Sequence, residues 1–156
     1  MTFELNTSIE IDAPAETVWA VLTDFDAYHE WNPFMQIAGR ASESARIHVE
    51  LALSGTRSTR FRPVVTRADP GRELRWLGHL LTPGVFDGEH RFVLETLDDG
   101  RTRVTHAEEF SGVLAPVGRR LVGNATERGF EAMNAALKRR VEARHAVAAA
   151  SEGTAA

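Results

Sequence analysis

Phe86-Asp87-Gly88-Glu89-His90-Arg91-Phe92-Val93-Leu94-Glu95-Thr96-Leu97-Asp98-Asp99-Gly100-Arg101-Thr102-Arg103-Val104-Thr105-His106-Ala107-Glu108-Glu109-Phe110-Ser111-Gly112 carries the strongest structural signal in the sequence. Its period is two. Phe86, Gly88, His90, Phe92 and Leu94 alternate with Asp87, Glu89, Arg91, Val93 and Glu95, the pattern of a half-buried strand. Val104, His106, Glu108 and Phe110 repeat it after Asp98-Asp99-Gly100, the clearest hairpin signal in the chain. Keeping both apolar faces inward requires opposed residue numbers to sum to an even value. A three-residue loop, Asp98 to Gly100, does this by setting Leu97 opposite Arg101 with Gly100 left-handed in a bulge. A two-residue loop would turn one strand inside out. The register then sets Phe92 opposite His106 and His90 opposite Glu108. An interior His90–Glu108 cross-strand pair is expected, with His106 nearby.

Past Gly112 the period becomes helical. Val117, Leu121, Phe130, Met133, Leu137 and Val141 read as one broad stripe, and a helix is expected from about Pro116 to Arg144. Residues 146–156 are alanine-rich and polar and read as a frayed tail on a single domain spanning 1–145. Before Phe86, more strands precede the hairpin. Phe3 to Ile11 alternate and stop at Asp12-Ala13-Pro14. Val18, Val21, Leu22 and Phe25 make a short amphipathic helix, and Tyr28 to Trp31 add a turn that Asn32-Pro33 ends. Strands are expected at Met35 to Ala38, at about Ala45 to Leu53, across Thr59 to Val65, and through Leu74, Trp76, Gly78 and Leu80. Turns fall at Gly55, Asp69-Pro70-Gly71 and Thr82-Pro83-Gly84. Pro63 marks its strand as an edge or a bulge. The sum is an α+β domain: a strand, two short helices, a curved antiparallel meander, and one long C-terminal helix that the sheet wraps around.

Composition narrows the function. The 156 residues are 43% hydrophobic and 26% charged, with a net charge of −4 and no cysteine. That excludes disulfides, thiolate catalysis and cysteine metal sites, and disfavours a nucleic-acid surface. No apolar run approaches the ~20 residues of a membrane span, and the N-terminus lacks the pattern of a signal peptide, so the cytoplasm is the expected compartment. No GxSxG elbow, phosphate-cradling loop or GxGxxG is present, and no cofactor is expected. His90, His106 and Glu108 could offer two nitrogens and an oxygen to a metal, but no HExxH-type spacing exists, and none is expected.

The order of elements resembles the helix-grip fold of the START/SRPBCC superfamily over Phe3 to about Arg144. Three local matches carry the likeness: Ile9-Glu10-Ile11-Asp12-Ala13-Pro14-Ala15-Glu16-Thr17-Val18-Trp19, Tyr28-His29-Glu30-Trp31-Asn32-Pro33, and Thr102 to Gly112 followed by Leu114-Ala115-Pro116. The subgroup it looks most like is the bacterial polyketide cyclase/dehydrase-like proteins. The resemblance implies a cavity between sheet and helix that takes a hydrophobic small molecule. It does not fix the activity, which must come from the site.

Strand parity nominates the lining: Leu51, Phe61, Trp76, Phe86, Phe92 and Phe110, with Leu121, Phe130 and Met133 from the helix and Trp31 from the second short helix. Trp31 and Trp76 read either as core or as stacking surfaces for a ligand. His90, His106 and Glu108 are the polar members. They would be a self-satisfied buried couple, recognise a polar group of the ligand, or move its proton. A carboxylate beside an imidazole is expected to favour the imidazolium.

The leading reading is a binder of an aromatic, polyketide- or lipid-like molecule. The second is a polyketide cyclase, aromatase or dehydratase using His90, His106 and Glu108 for proton transfer. The third is an interaction module with a collapsed cavity, or a homodimer, if Leu77, Leu81 and Val93 form one exposed patch. Gly118, Gly123 and Gly129 in the long helix signal either close approach to the sheet or a flexible N-terminal half, coupled to the Thr82-Pro83-Gly84 loop, that opens the cavity.

Overall fold

The computed structural model describes residues 2–54 and 57–154, so the expected turn at Gly55 lies outside the described residues. Strand β1 (Thr2–Ile11) leads into α1 (Ala15–Thr23) and a 3-10 turn (Phe25–Glu30). Seven strands follow: β2 (Met35–Ala38), β3 (His48–Ser54), β4 (Arg57–Phe61), β5 (Val64–Asp69), β6 (Glu73–Leu80), β7 (Phe86–Thr96) and β8 (Thr102–Ser111). Helix α2 (Ala115–Gly153) closes the chain. The curved antiparallel wall around this helix is the helix-grip arrangement.

The wall is two sheets, ordered β1-β8-β7-β6-β5 and β2-β3-β4. The single strand expected across Thr59 to Val65 is instead divided at Arg62-Pro63 between β4 and β5, which belong to different sheets. Pro63 has no N–H to donate to a ladder, so the chain changes sheets there. The sheets stay joined because the Ile47 amide donates to the Pro63 carbonyl at 2.9 Å and the Val65 amide to the Ala45 carbonyl at 2.8 Å. These bonds take up residues 45–47, where the sequence had placed the start of β3.

The β7–β8 hairpin has the register that loop counting requires: Phe92 opposite His106 and His90 opposite Glu108. Leu97 donates to the Arg101 carbonyl at 2.8 Å, and Gly100 has φ +82°. A left-handed glycine here keeps both apolar faces inward.

Two readings of α2 need correction. The helix runs on to Gly153 rather than ending near Arg144. Ala146, Ala148, Ala149 and Ala150 are the strongest helix formers available, and they extend it past the last buried residue, Val141. Leu121 does not face the sheet; it is 76% exposed, and Val117 is exposed with it. Phe130 lies nine residues beyond Leu121, about two and a half turns, so the two point to opposite sides of the helix. The buried face instead runs through Thr126, Phe130, Met133, Asn134, Leu137 and Val141.

Gly118 and Gly129 mark close approach. A Cβ at Gly129 would penetrate the Phe34 ring, and one at Gly118 the Phe86 ring. Phe34 is buried and cannot swing into solvent. Gly129→Ala is therefore expected to lower stability: overpacking costs roughly 1–3 kcal/mol, against a gain of about 1 kcal/mol in helix propensity. A urea midpoint above that of the parent protein would show that Gly129 has only a flexibility role.

Leu77, Leu81 and Val93 do not form one patch. Arg75 lies between Leu77 and Val93 and makes ion pairs with Glu73 and with Glu89 (3.1 Å to the latter). Leu77 and Val93 are half-buried, and Leu81 stands in the β6–β7 loop. Among the described residues no helix is long and apolar enough to cross a membrane.

Candidate functional site

A cavity of about 240 Å³ lies between the two sheets and the N-terminal half of α2. Leu51 (β3), Phe61 (β4), Trp76 (β6), Phe86 and His90 (β7), and Glu108 and Phe110 (β8) line it. So do Met35, Val49, Leu53, Thr59, Pro63, Gly78, His79, Leu80, Gly88, Val122 and Thr126. The interior is thus hollow, which removes the premise of a collapsed module. Val122 and Thr126 take the place expected of Leu121; extending the buried stripe back from Phe130 in steps of four residues finds them.

Phe92, His106, Phe130 and Met133 lie behind the cavity wall as packed core, each essentially unexposed. Trp31 is away from the cavity as well. It packs edge-on against Tyr28, with ring centroids 4.9 Å apart, and its buried indole N–H has no partner.

The polar corner is built in layers. Trp76 and His90 are opposed on β6 and β7, and their rings stack in parallel 4.6 Å apart. His106 is held between Phe130, at 3.9 Å and 17°, and Phe92, at 4.3 Å and 30°. His90 reaches diagonally across the hairpin, so its Nε2 lies 2.9 Å from His106 Nε2. Its other nitrogen, Nδ1, faces Glu108 Oε2 at 3.4 Å, longer than a well-formed hydrogen bond. Behind them, His106 Nδ1 meets Asn134 Oδ1 at 2.8 Å, Asn134 Nδ2 donates to Thr7 Oγ1 at 2.9 Å, and Thr7 donates to the His106 carbonyl at 2.9 Å. Asn134 and Thr7 were not among the expected site residues. Their signal was present: each is the polar member of an apolar series, Thr7 in β1 and Asn134 on the buried face of α2.

Burial sets the charge. Desolvation pushes His90 down to about 3, with the neighbouring Arg91 charge adding to it. Desolvation and the adjacent His90 hold His106 well below the usual imidazole range, against the opposing effect of the Asn134 hydrogen bond. Desolvation raises Glu108 to about 8, although 14% of its side chain is exposed at the cavity wall. The expected imidazolium–carboxylate pair is therefore corrected to a neutral cluster. Removing charge from water costs more here than a 3.4 Å contact returns. Among the described residues no group of His, Asp and Glu is arranged to hold a metal ion. His90 Nε2 and His106 Nε2 face one another.

The model of a family described as polyketide cyclase / dehydrase and lipid transport matches residues 2–142. The chain belongs to this family. Several solved structures share its fold. An aromatase/cyclase from Streptomyces sp. R1128, named Zhui, superposes with a TM-score of 0.72 at 19% identity, covering 92% of this chain and 96% of the other. A START superfamily protein from Mycobacterium smegmatis gives 0.70 at 23% identity, covering 89% and 97%. A third structure, the protein TTHA0849 from Thermus thermophilus, gives 0.71 at 19% identity, covering 91% and 99%. At these identities the likeness is one of fold. No curated protein sequence matches the chain. Membership in the polyketide cyclase/dehydrase and lipid transport family agrees with what the geometry displays: an apolar cavity under the C-terminal helix, with one polar corner.

Proposed function

We propose that the protein binds a small hydrophobic molecule of one or two rings in this cavity, with the ligand's polar group at Glu108 and His90. The observation that carries the reading is the shape of the site: about 240 Å³ lined mostly by aliphatic and aromatic side chains, with a hydrogen-bonded chain from Thr7 through Asn134 and His106 to His90 behind its polar wall. That volume is just under the roughly 300–1,000 Å³ of pockets that hold drug-sized ligands. It suits one or two rings better than a long folded chain. Leu51, Phe61, Phe86 and Phe110 would supply apolar contact, and Trp76 a stacking face backed by His90.

Native mass spectrometry of freshly purified protein, together with thermal-shift measurements on a panel of one- and two-ring aromatics, tests this reading. A co-purified lipophilic adduct, or a melting temperature that rises with ligand concentration, is the expected result. A bare mass with no response to any panel member would remove the reading.

One observation favours a second reading, in which the protein is an enzyme acting on a polyketide-like substrate. Glu108 keeps its proton to about pH 8 at the cavity wall, the state that a general acid needs. It would protonate a carbonyl or a departing hydroxyl during cyclisation or dehydration. The Streptomyces aromatase/cyclase of the same fold makes this chemistry the one to assay. Turnover that survives Glu108→Gln excludes it; binding retained with turnover abolished supports it.

A further inference from the structure

The polar corner leaves one hydrogen-bonding capacity open to the cavity, and the bonds behind it set its sign. This inference rests on the cavity being a ligand site. Thr7 Oγ1 has one proton and gives it to the His106 carbonyl, so toward Asn134 it can only accept. Asn134 must then turn Nδ2 to Thr7 and Oδ1 to His106. An amide oxygen cannot donate, so His106 Nδ1 carries the proton of that bond. A neutral imidazole has a single N–H, and His106 Nε2 is therefore a bare acceptor. His90 Nε2 must donate to it across 2.9 Å, which leaves His90 Nδ1 bare in turn.

That lone pair faces Glu108 Oε2. Two acceptors in opposition repel, and a proton on Oε2 resolves the conflict. Glu108 then presents Oε1 to the cavity as an unprotonated carbonyl oxygen. Among the described residues no protein donor reaches Oε1. It lies over Gly88, where a Cβ would come within 2.6 Å, so the glycine leaves the room it occupies. The other polar groups of the lining stand outside this chain of hydrogen bonds. The Thr126 hydroxyl gives its one proton to the Val122 carbonyl at 2.9 Å, so toward a ligand it too can only accept, and His79 Nδ1 is taken up by Asp87 at 2.7 Å. Thr59 belongs to the other sheet. The charged neighbour Arg91 is paired with Glu4 at 2.8 Å on the outer face.

We propose that the cavity selects ligands presenting a hydrogen-bond donor, a neutral hydroxyl or N–H on a small ring system, to Glu108 Oε1, and discriminates against ketones of the same shape. Thr7 and Asn134 are positioning residues. They do not line the cavity, yet they set the direction of the whole chain. If that direction reversed, His90 Nδ1 would donate to Oε2, and a protonated Glu108 would offer its O–H to a ketone.

The experiment is calorimetric titration with 1-(2-naphthyl)ethanol and 2-acetylnaphthalene, which differ only in carrying a hydroxyl or a carbonyl. The protein is expected to bind the alcohol at least about tenfold more tightly. Glu108→Gln should keep that ratio, because its amide donates to His90 and its carbonyl faces the ligand, as in the protonated acid. Glu108→Leu should bring the ratio close to one. Thr7→Val, which frees Asn134 to flip without a change of shape, should narrow the ratio while the alcohol still binds. Equal affinity in the parent protein, a preference that survives Glu108→Leu, or a preference lost in Glu108→Gln overturns the proposal. An unchanged ratio in Thr7→Val overturns the positioning role. Failure of both probes to bind overturns the reading of the cavity itself, and the inference with it.

Discussion

Phe130→Ala is expected to cost the fold about 3–5 kcal/mol, the range for removing a fully buried phenylalanine. Phe130 has no exposed surface and supports the site from behind. Its ring stacks on His106 at 3.9 Å and meets His90 edge-on at 5.2 Å and Phe34 at 5.9 Å. Thr126, one turn earlier on α2, lines the ligand cavity, so the vacated volume would adjoin it. Water reaching His106 would relieve the desolvation that depresses both imidazoles. The variant should therefore lose stability in urea and show His106 and His90 titrating closer to the ordinary imidazole value in NMR. A loss under about 1 kcal/mol, with both histidines still unprotonated in mild acid, would mean that Phe130 does not shield the cluster.

The second large effect is on the pH dependence of stability. Glu108 titrates at about 8 in the folded chain and near 4.3 when unfolded. The folded state binds the extra proton between those values. Its contribution is fully present below the unfolded value and is lost as pH rises through about 8. The histidines act in the opposite sense. With His90 depressed to about 3 and His106 also depressed, their contribution is present above about pH 6.5 and is lost as pH falls toward the folded values. Stability should peak near neutrality. Between about pH 6.5 and about pH 9 the parent protein should lose on the order of a few kcal/mol, and Glu108→Gln should show no such fall. Surface carboxylates held low, such as Asp87 and Glu142, contribute equally to both proteins and cancel in the difference. Parallel alkaline limbs for parent and variant would contradict the raised Glu108.

The hairpin that holds this cluster was legible because strand side chains alternate with period two. A one-residue slip would have buried Asp87, Glu89, Arg91 and Glu95, so the loop count alone selected His90 opposite Glu108. Which partner His90 takes was not legible. Glu108 is its direct cross-strand neighbour, whereas His106 is the diagonal one, and both are within reach of an imidazole. Side-chain direction and burial decide for His106. Leu121 shows a different limit. It and Phe130 are both apolar on one helix, but a gap of nine residues puts them on opposite faces, and only the Thr126–Phe130–Asn134 spacing keeps the phase. A hollow interior and a filled one give the same alternation of apolar residues, so the cavity became visible only when the strands and α2 were placed. The protonation of Glu108 depends on desolvation in three dimensions, which local sequence does not encode.

Infrared difference spectroscopy at neutral pH, parent protein against Glu108→Gln, decides whether the cavity is lined at its polar wall by an uncharged acid. A carbonyl stretch of a protonated carboxylic acid is expected in the parent protein. That band should be absent from the variant, shift on deuteration, and disappear as pH rises past about 8. A difference spectrum containing only carboxylate bands at neutral pH would contradict it.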